Sequence, residues 1–208
     1  MYIPSAFASP SDEATARLID EFGFAVLVAC GAGGVPVVSH VPLLHDRQRN
    51  VLIGHLAGPN PQAEILEECA RAGREVLAVF QGPHGYISPS WYAAKHNSVP
   101  TWNYAAAHVY GVPATFSSPD RLRAIVDSLA KKYERMGWTL AAQDEDYVAR
   151  MLGGIVGFEI AIARIEGKFK MSQNRNAADR AGVLAGLEAT GRADDAQLAR
   201  AMRAGKPA

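Results

Sequence analysis

Runs of hydrophobic residues separated by turn-forming residues predict a chain built largely of β-strands. Successive side chains of a strand point to opposite faces of a sheet, and clusters of glycine and proline mark the turns. The predicted strands are residues 24–30, 35–44, 51–56, 75–80, 101–116 and 156–166, with a short extended piece at 85–88. Turn-length links favour antiparallel pairing, so the expected fold is α+β, mainly antiparallel β, with six or seven strands in a small barrel.

Helical spacing of apolar residues marks six further segments. Ser11 and Asn60 stand where a side-chain oxygen can cap the first and second helix, and Pro61 suits the first position of the second. The predicted helices are residues 12–22, 62–72, 119–133, 144–152, 176–187 and 194–203. Helices therefore flank the sheet.

The hairpin predicted around the loop HDRQRN brings two histidines together. If Leu44 pairs with Val51 across this loop, the antiparallel ladder sets His40 directly opposite His55. Three interpretations stay open for the pair: a metal site, a phosphate site shared with Ser39 and backbone amides, or two unrelated polar groups on a wet face. A metal site would need further ligands at matching spacing, and the sequence nearby offers none.

The helix over residues 62–72 begins a few residues after His55 in the sequence. The first N–H groups of a helix lack partners within it, and the helix dipole is positive at that end. Both features stabilise an anion. Asn60 and this helix start therefore strengthen the phosphate interpretation.

Residues 79–110 hold seven of the 17 aromatic residues of the chain, together with three of its six histidines. Rings with polar edges, interleaved with proline and glycine, are typical of a surface that stacks a planar ligand or seals a subunit interface. The alternative is that these rings complete a hydrophobic core. The density of proline, histidine and serine favours the ligand or interface role.

Residues 167–175 (GKFKMSQNR) place three cations among amide and hydroxyl groups after the last predicted strand. Such a segment can clamp an anionic ligand or a carboxylate of a partner chain, because it is dense in directional donors. It can also be an ordinary exposed loop. The sequence leaves both interpretations open.

Composition narrows the classes of partner. The chain carries 21 Lys and Arg against 21 Asp and Glu, so it lacks the global attraction that nucleic-acid binders use. A DNA contact would need a local patch, such as the basic face of the helix over 119–133, and basic helix faces mostly confer solubility. DNA is thus a conceivable partner that neither charge nor a visible reading motif supports.

Cysteine usage and hydropathy predict a reduced, cytoplasmic setting. Cys30 and Cys69 show no CxxC spacing, which argues against a disulfide framework or a zinc site. No apolar run approaches the roughly 20 residues of a spanning helix, and residues 1–10 lack the pattern of a secretory signal. We therefore expect neither a membrane partner nor export.

Six blocks of the sequence, in order, resemble the PaiB-type FMN-binding negative transcriptional regulators. The match runs from residue 1 to about residue 190, and the blocks are MYIP, SHVPLL, GHLAGPNPQ, VFQGPHGYISPSWY, VPTWNYAAAHVYG and IEGKFKMSQNR. The resemblance implies an FMN-binding split β-barrel, as in pyridoxamine-phosphate oxidases and flavin reductases, that works as a homodimer. It implies a split-barrel domain over residues 1–175 and a C-terminal helical extension over 176–208.

The resemblance also implies ten cofactor-binding residues. The flavin phosphate is expected at Ser39, His40, Val41, His55 and Asn60, and the isoalloxazine at Trp102, Asn103 and Tyr104, with Lys168 and Gln173 nearby. The chain has Gly58-Pro59 where the family more often has Arg-Ala, so it lacks a cation beside the expected phosphate. A charge-assisted contact is typically worth roughly 1.5 to 3 kcal/mol, and this one is lost.

Two functions follow from these expectations. The first is an FMN-binding homodimer that acts as a negative transcriptional regulator, with the flavin as ligand or redox sensor. The second is a flavin-dependent oxidoreductase acting on a small molecule. No catalytic residue is predicted. One loop holds His84, Ser88, Ser90 and His96, but serine and histidine in loops usually act as hydrogen-bonding caps.

Overall fold

The computed structural model describes residues 1–93 and 98–204, so His96 lies outside the described residues. Seven strands form one sheet, and six α-helices accompany it. The strands are β1 (Phe24–Cys30), β2 (Pro36–Pro42), β3 (Leu44–Asp46), β4 (Val51–Ala57), β5 (Val76–Ile87), β6 (Thr101–Phe116) and β7 (Ile155–Lys170). The helices are α1 (Asp12–Glu21), α2 (Gln62–Ala72), α3 (Pro119–Tyr133), α4 (Glu145–Leu152), α5 (Ala177–Ala189) and α6 (Ala193–Ala204).

The sheet order is β2-β1-β5-β6-β7-β4-β3, and its pairing is antiparallel. This confirms the predicted α+β class with a mainly antiparallel sheet. Strand β2 is the first strand of the order, which agrees with the presence of Pro42, because proline has no backbone N–H to donate and is confined to edge strands.

The pairing of β2 differs from the prediction. The chain changes partner at Leu43: β2 pairs with β1, setting His40 beside Val26, whereas the short β3 pairs with β4. Leu44 lies opposite Ile53, two residues from the predicted register. The predicted pairing of His40 with His55 is therefore wrong.

The turn between β3 and β4 explains the shift in register. Oδ1 of Asp46 accepts hydrogen bonds from the backbone N–H groups of Gln48 and Arg49, at 3.1 and 3.0 Å. Asn50 takes a left-handed backbone conformation with φ of 53°. An aspartate that caps its own turn and an asparagine at positive φ close a shorter turn than the six-residue loop expected from hydropathy.

Two compact units are visible in the chain. One unit comprises residues 23–80 and 108–165, and its core includes Leu27, Leu52, Leu66 and Phe158. We call it the strand unit, since it contains β1 to β4 whole. Gln62 fixes α2 within it, because its amide donates to the carbonyls of both Leu27 and Val37 at 2.9 Å.

The second unit comprises residues 1–22, 81–107 and 166–208. Its described core includes Ile19, Ile87, Val183 and Leu198. We call it the terminal unit, since it contains α1 and the two C-terminal helices. Gly82 permits close packing there, because a Cβ at this position would overlap Leu18.

Helix bounds agree closely with the predictions, whereas two strands run further than predicted. Strand β5 continues through residue 87 and absorbs the short piece expected at 85–88, and β7 continues to Lys170. Lys168 and Lys170 therefore lie on a strand. None of the helices within residues 1–93 and 98–204 combines the length and apolar character that a bilayer-spanning segment requires.

Candidate functional site

Asn60 connects β2 to the start of α2. Its side-chain Nδ2 donates to Ser39 Oγ at 3.1 Å, and its Oδ1 accepts from the Gln62 N–H at 2.9 Å. The predicted capping role of Asn60 at this helix is confirmed in that sense. Because Ser39 Oγ accepts from Asn60, its hydroxyl proton is directed elsewhere and can be donated to an anion.

The start of α2 offers fewer open backbone donors than the sequence suggests. The N–H of Ala63 donates to the Asn60 carbonyl at 2.9 Å, and the N–H of Gln62 is held by the Asn60 side chain. An anion at this end of α2 would therefore depend on side-chain donors and on the helix dipole.

Gln62 is a buried polar residue that the sequence analysis does not single out. Its side chain has 0% exposure, and both bonds of its amide group go to backbone carbonyls of β1 and β2. Its Oε1 atom is buried and has no partner within residues 1–93 and 98–204. The available signal was a glutamine in the first turn of a helix with an otherwise apolar inner face.

His55 is half-buried on β4. Its Nδ1 atom is buried and lacks a hydrogen-bond partner in the part of the chain that the structure describes. Burial lowers the pKa of His55 below its ordinary value. The imidazole is therefore neutral at neutral pH, with one nitrogen able to donate and the other to accept.

His40 and Val41 lie on opposite faces of β2. Neighbouring residues of a strand point to opposite faces, so His40 projects away from the face that carries Ser39. The His40 side chain is exposed, and its ring lies 6.3 Å from that of Phe24. Val41 is buried, and it shares the face of Ser39.

Trp102 lies in an exposed group of rings in the terminal unit. It is 54% exposed, its ring stacks with that of His84 at 6.5 Å, and it meets Tyr86 edge-on at 6.2 Å. The aromatic stretch thus presents part of its rings to the surface and buries others, such as Tyr92. The ligand or interface role of the exposed rings stays a prediction.

Asn103 is fully buried in the same unit. Its Nδ2 donates to Ser172 Oγ at 2.9 Å and lies 3.5 Å from the sulfur of Met202 on α6. Its Oδ1 atom is buried and has no partner among the described residues. A direct contact of Asn103 with a flavin ring would have to use that oxygen.

Tyr104 and Lys168 contact each other, whereas Gln173 serves the backbone. Lys168 Nζ lies 5.2 Å from the centre of the Tyr104 ring. The Gln173 amide donates to the Phe169 carbonyl, and its Oε1 accepts from the Met171 N–H at 2.6 Å. Gln173 therefore shapes the turn after β7.

Two surface cavities lie around α3 and α4. The larger, of about 350 Å³, is lined by residues that include Lys131, Glu134 and Trp138, and the smaller has about 230 Å³. Among the described residues, none of the ten predicted cofactor residues lines either cavity. Shape alone does not select an anion, whereas the hydrogen-bonded polar residues of the strand unit offer donors to one.

The polar residues of the strand unit fit the phosphate group that the family resemblance implies. Ser39 and Asn60 form a hydrogen-bonded pair, and the buried Nδ1 of His55 lacks a protein partner within the described ranges. These groups are neutral donors. Gly58, where the family resemblance leads us to expect arginine, is exposed and has no side chain to supply a charged contact.

Comparison with known proteins identifies the family of this chain. Residues 1–164 match the family described as "Putative FMN-binding domain". The chain is also 36% identical over 193 residues to the "Protease synthase and sporulation protein PAI 2" of Bacillus subtilis, covering 90% of this chain and 89% of that protein.

Solved structures with a similar fold confirm the split barrel. The FAD and heme binding protein from Mycobacterium smegmatis aligns with a TM-score of 0.60 at 18% identity, over 83% of this chain and 78% of that one. The flavocytochrome Anf3 from Azotobacter vinelandii aligns with a TM-score of 0.60 at 14% identity, over 78% and 69%. The chain thus belongs to the FMN-binding family of PaiB-type split-barrel proteins, and FMN is the cofactor that this membership assigns to it.

Proposed function

We propose that this protein holds FMN by its phosphate at Ser39, His55 and Asn60, and that it works as a homodimeric transcriptional regulator. The observation that carries the phosphate site is the hydrogen bond from Asn60 to Ser39 at the start of α2. It arranges a free hydroxyl proton beside a positive helix end. His55 belongs to the same unit and has a neutral ring whose Nδ1 lacks a hydrogen-bond partner among the described residues.

The regulatory role is supported by the family resemblance and by the relative from Bacillus subtilis, which is named a protease synthase and sporulation protein. Bound FMN supplies a redox-active ring, so the flavin can act as ligand or redox sensor. The balanced charge of the chain favours action on DNA through a local patch or through a partner protein. Residues Trp102 and Tyr104 are proposed to face the flavin ring, and their exposed or half-buried rings suit stacking.

The phosphate site is tested by titrating the purified protein with FMN and with riboflavin, which lacks the phosphate. FMN should bind at least about tenfold more tightly, because the site recognises the anion. Equal affinity for the two flavins would refute the phosphate site.

The regulatory role needs a separate test. With and without FMN, the protein should shift a fragment of the promoter region upstream of its own gene at physiological salt, and light scattering should give the mass of a dimer. Turnover of NAD(P)H with an acceptor far above the rate of free flavin, without a promoter shift, would instead establish the oxidoreductase function.

A further inference from the structure

Three cations lie close together in the terminal unit, two of them beside Tyr104, and we call Lys168, Lys170 and Arg175 the cation cluster. Lys168 and Lys170 lie two residues apart on β7 and so share one face of the strand. Lys168 Nζ is 5.2 Å from the centre of the Tyr104 ring. The pKa of Lys170 is lowered, chiefly by burial and further by Lys168 and Arg175, while Tyr104 opposes the shift. The charges are thus close enough to repel one another.

The partners of the cation cluster in the described part of the chain are neutral. Lys168 Nζ donates to the Tyr2 carbonyl at 3.0 Å, and Lys170 Nζ donates to the Thr101 hydroxyl. The Arg175 guanidinium lies over a tyrosine ring, at 4.4 Å from its centre. Within residues 1–93 and 98–204, no carboxylate forms an ion pair with any of the three.

The nearby acids are engaged elsewhere. Glu166 pairs with the N-terminal ammonium of Met1. The two oxygens of Asp179 accept from the Ala93 N–H at 3.0 Å and from the Asn176 amide at 3.1 Å. The cation cluster therefore keeps its net positive charge.

Burial makes this arrangement unusual for a surface patch. Lys168 is only 8% exposed, and lysine is rarely buried without a charged partner because loss of hydration destabilises the ammonium. Elsewhere in the chain cations pair with carboxylates, as Lys131 does with Asp127 at 2.6 Å. An anion brought by a ligand would offset the cost of burying Lys168.

We propose that the cation cluster, with the Tyr104 hydroxyl, binds the carboxylate or phosphate group of a small anionic ligand other than FMN. The Tyr104 hydroxyl has no hydrogen-bond partner among the described residues, so it can donate to such a group. The cation cluster belongs to the terminal unit, whereas the proposed FMN phosphate residues belong to the strand unit. In a regulator this small carboxylate or phosphate compound would be the effector, and in an oxidoreductase it would be the substrate.

The test uses the full chain saturated with FMN, in a buffer free of oxyanions, with inorganic phosphate and succinate as calorimetric probes. At least one probe should bind. The variant Lys168→Met/Lys170→Met should weaken that binding at least about tenfold, because two charge-assisted contacts are removed. Lys131→Met, which removes a surface lysine paired within α3, should bind as the natural chain does. Absence of binding by both probes, or equal binding by the double variant, would overturn the proposal.

A flavin titration separates this ligand from the phosphate of FMN itself. The double variant should keep the preference for FMN over riboflavin, whereas loss of that preference would show that the cluster holds the flavin phosphate and would refute a separate ligand. If the double variant does not fold, the single variant Lys170→Met is titrated with the same probes. It should weaken probe binding about threefold or more, and unchanged binding would refute the proposal.

Discussion

Asn60 donates a hydrogen bond from Nδ2 to Ser39 Oγ at 3.1 Å, and its Oδ1 accepts from the N–H of Gln62. The same side chain thus caps α2 and orients the hydroxyl of β2. Substitutions at the two positions separate these tasks, since an aspartate retains the capping oxygen and loses the amide donor.

Asn60→Asp should weaken FMN binding by more than about tenfold while leaving riboflavin binding nearly unchanged. The new carboxylate still caps α2 but repels the phosphate, and Ser39 loses its donor. Ser39→Ala should weaken FMN binding by about tenfold or more, as expected for the loss of one hydrogen bond to a charged group. The measurement is a fluorescence titration with both flavins.

Ser118→Ala is the matched control for this series. Ser118 stands before α3 in the same unit and makes no side-chain capping bond. Its FMN affinity should equal that of the natural chain. Equal losses of FMN and riboflavin affinity in Asn60→Asp would point to a general structural defect and argue against a phosphate contact.

Gly58→Arg should raise FMN affinity by about tenfold, because it restores a cation beside the proposed phosphate site. Gly58 is exposed, and a Cβ there would lie 3.2 Å from the Gly154 carbonyl oxygen, so a shift of a few tenths of an ångström accommodates it. Gly58→Ala isolates that backbone adjustment from the charge. An arginine variant no better than the alanine variant would place the phosphate elsewhere.

His55 should make the protein less stable in mild acid. Burial lowers its pKa in the folded state, so between the folded pKa and the ordinary value of 6.5 the unfolded chain binds more protons. Its contribution to stability is complete above 6.5 and is lost as the pH falls through the folded pKa. The free energy of unfolding, measured with denaturant from pH 5 to pH 8, should depend less steeply on pH in His55→Gln than in the natural chain. The same dependence of stability on pH in both proteins would contradict the prediction.

Gly186→Ala should destabilise the terminal unit by about 1 to 3 kcal/mol, the usual range for overpacking. A Cβ at Gly186 on α5 would overlap the indole of Trp91, so either the ring or the helix must move. Gly153→Ala at the end of α4 is the control, since its φ is −64° and its nearest contact would be an ordinary 3.5 Å. Thermal unfolding measures both variants. A neutral or stabilising Gly186→Ala would contradict the tight packing of Trp91 against α5.

The secondary structure could be predicted from the sequence because it depends on interactions between residues that are close in the chain. Strand β6 and helix α2 have the predicted bounds because periodicity, caps and prolines act within a few residues. Ser11 caps α1 as predicted, with its side chain accepting from the Ala14 N–H. The family could also be recognised from the sequence, because six sequence blocks resemble it in the same order.

The sequence by itself thus determined the elements, the fold class and the cofactor family. The tertiary structure alone decided which strand β2 pairs with, which of the predicted residues meet, and that Lys168 is buried among neutral partners. Strand pairing depends on the turn that Asp46 and Asn50 close and on competition with β1, and both involve contacts between distant residues. A hydropathy pattern records which face of a strand is buried, and it contains no information about the partner that buries it.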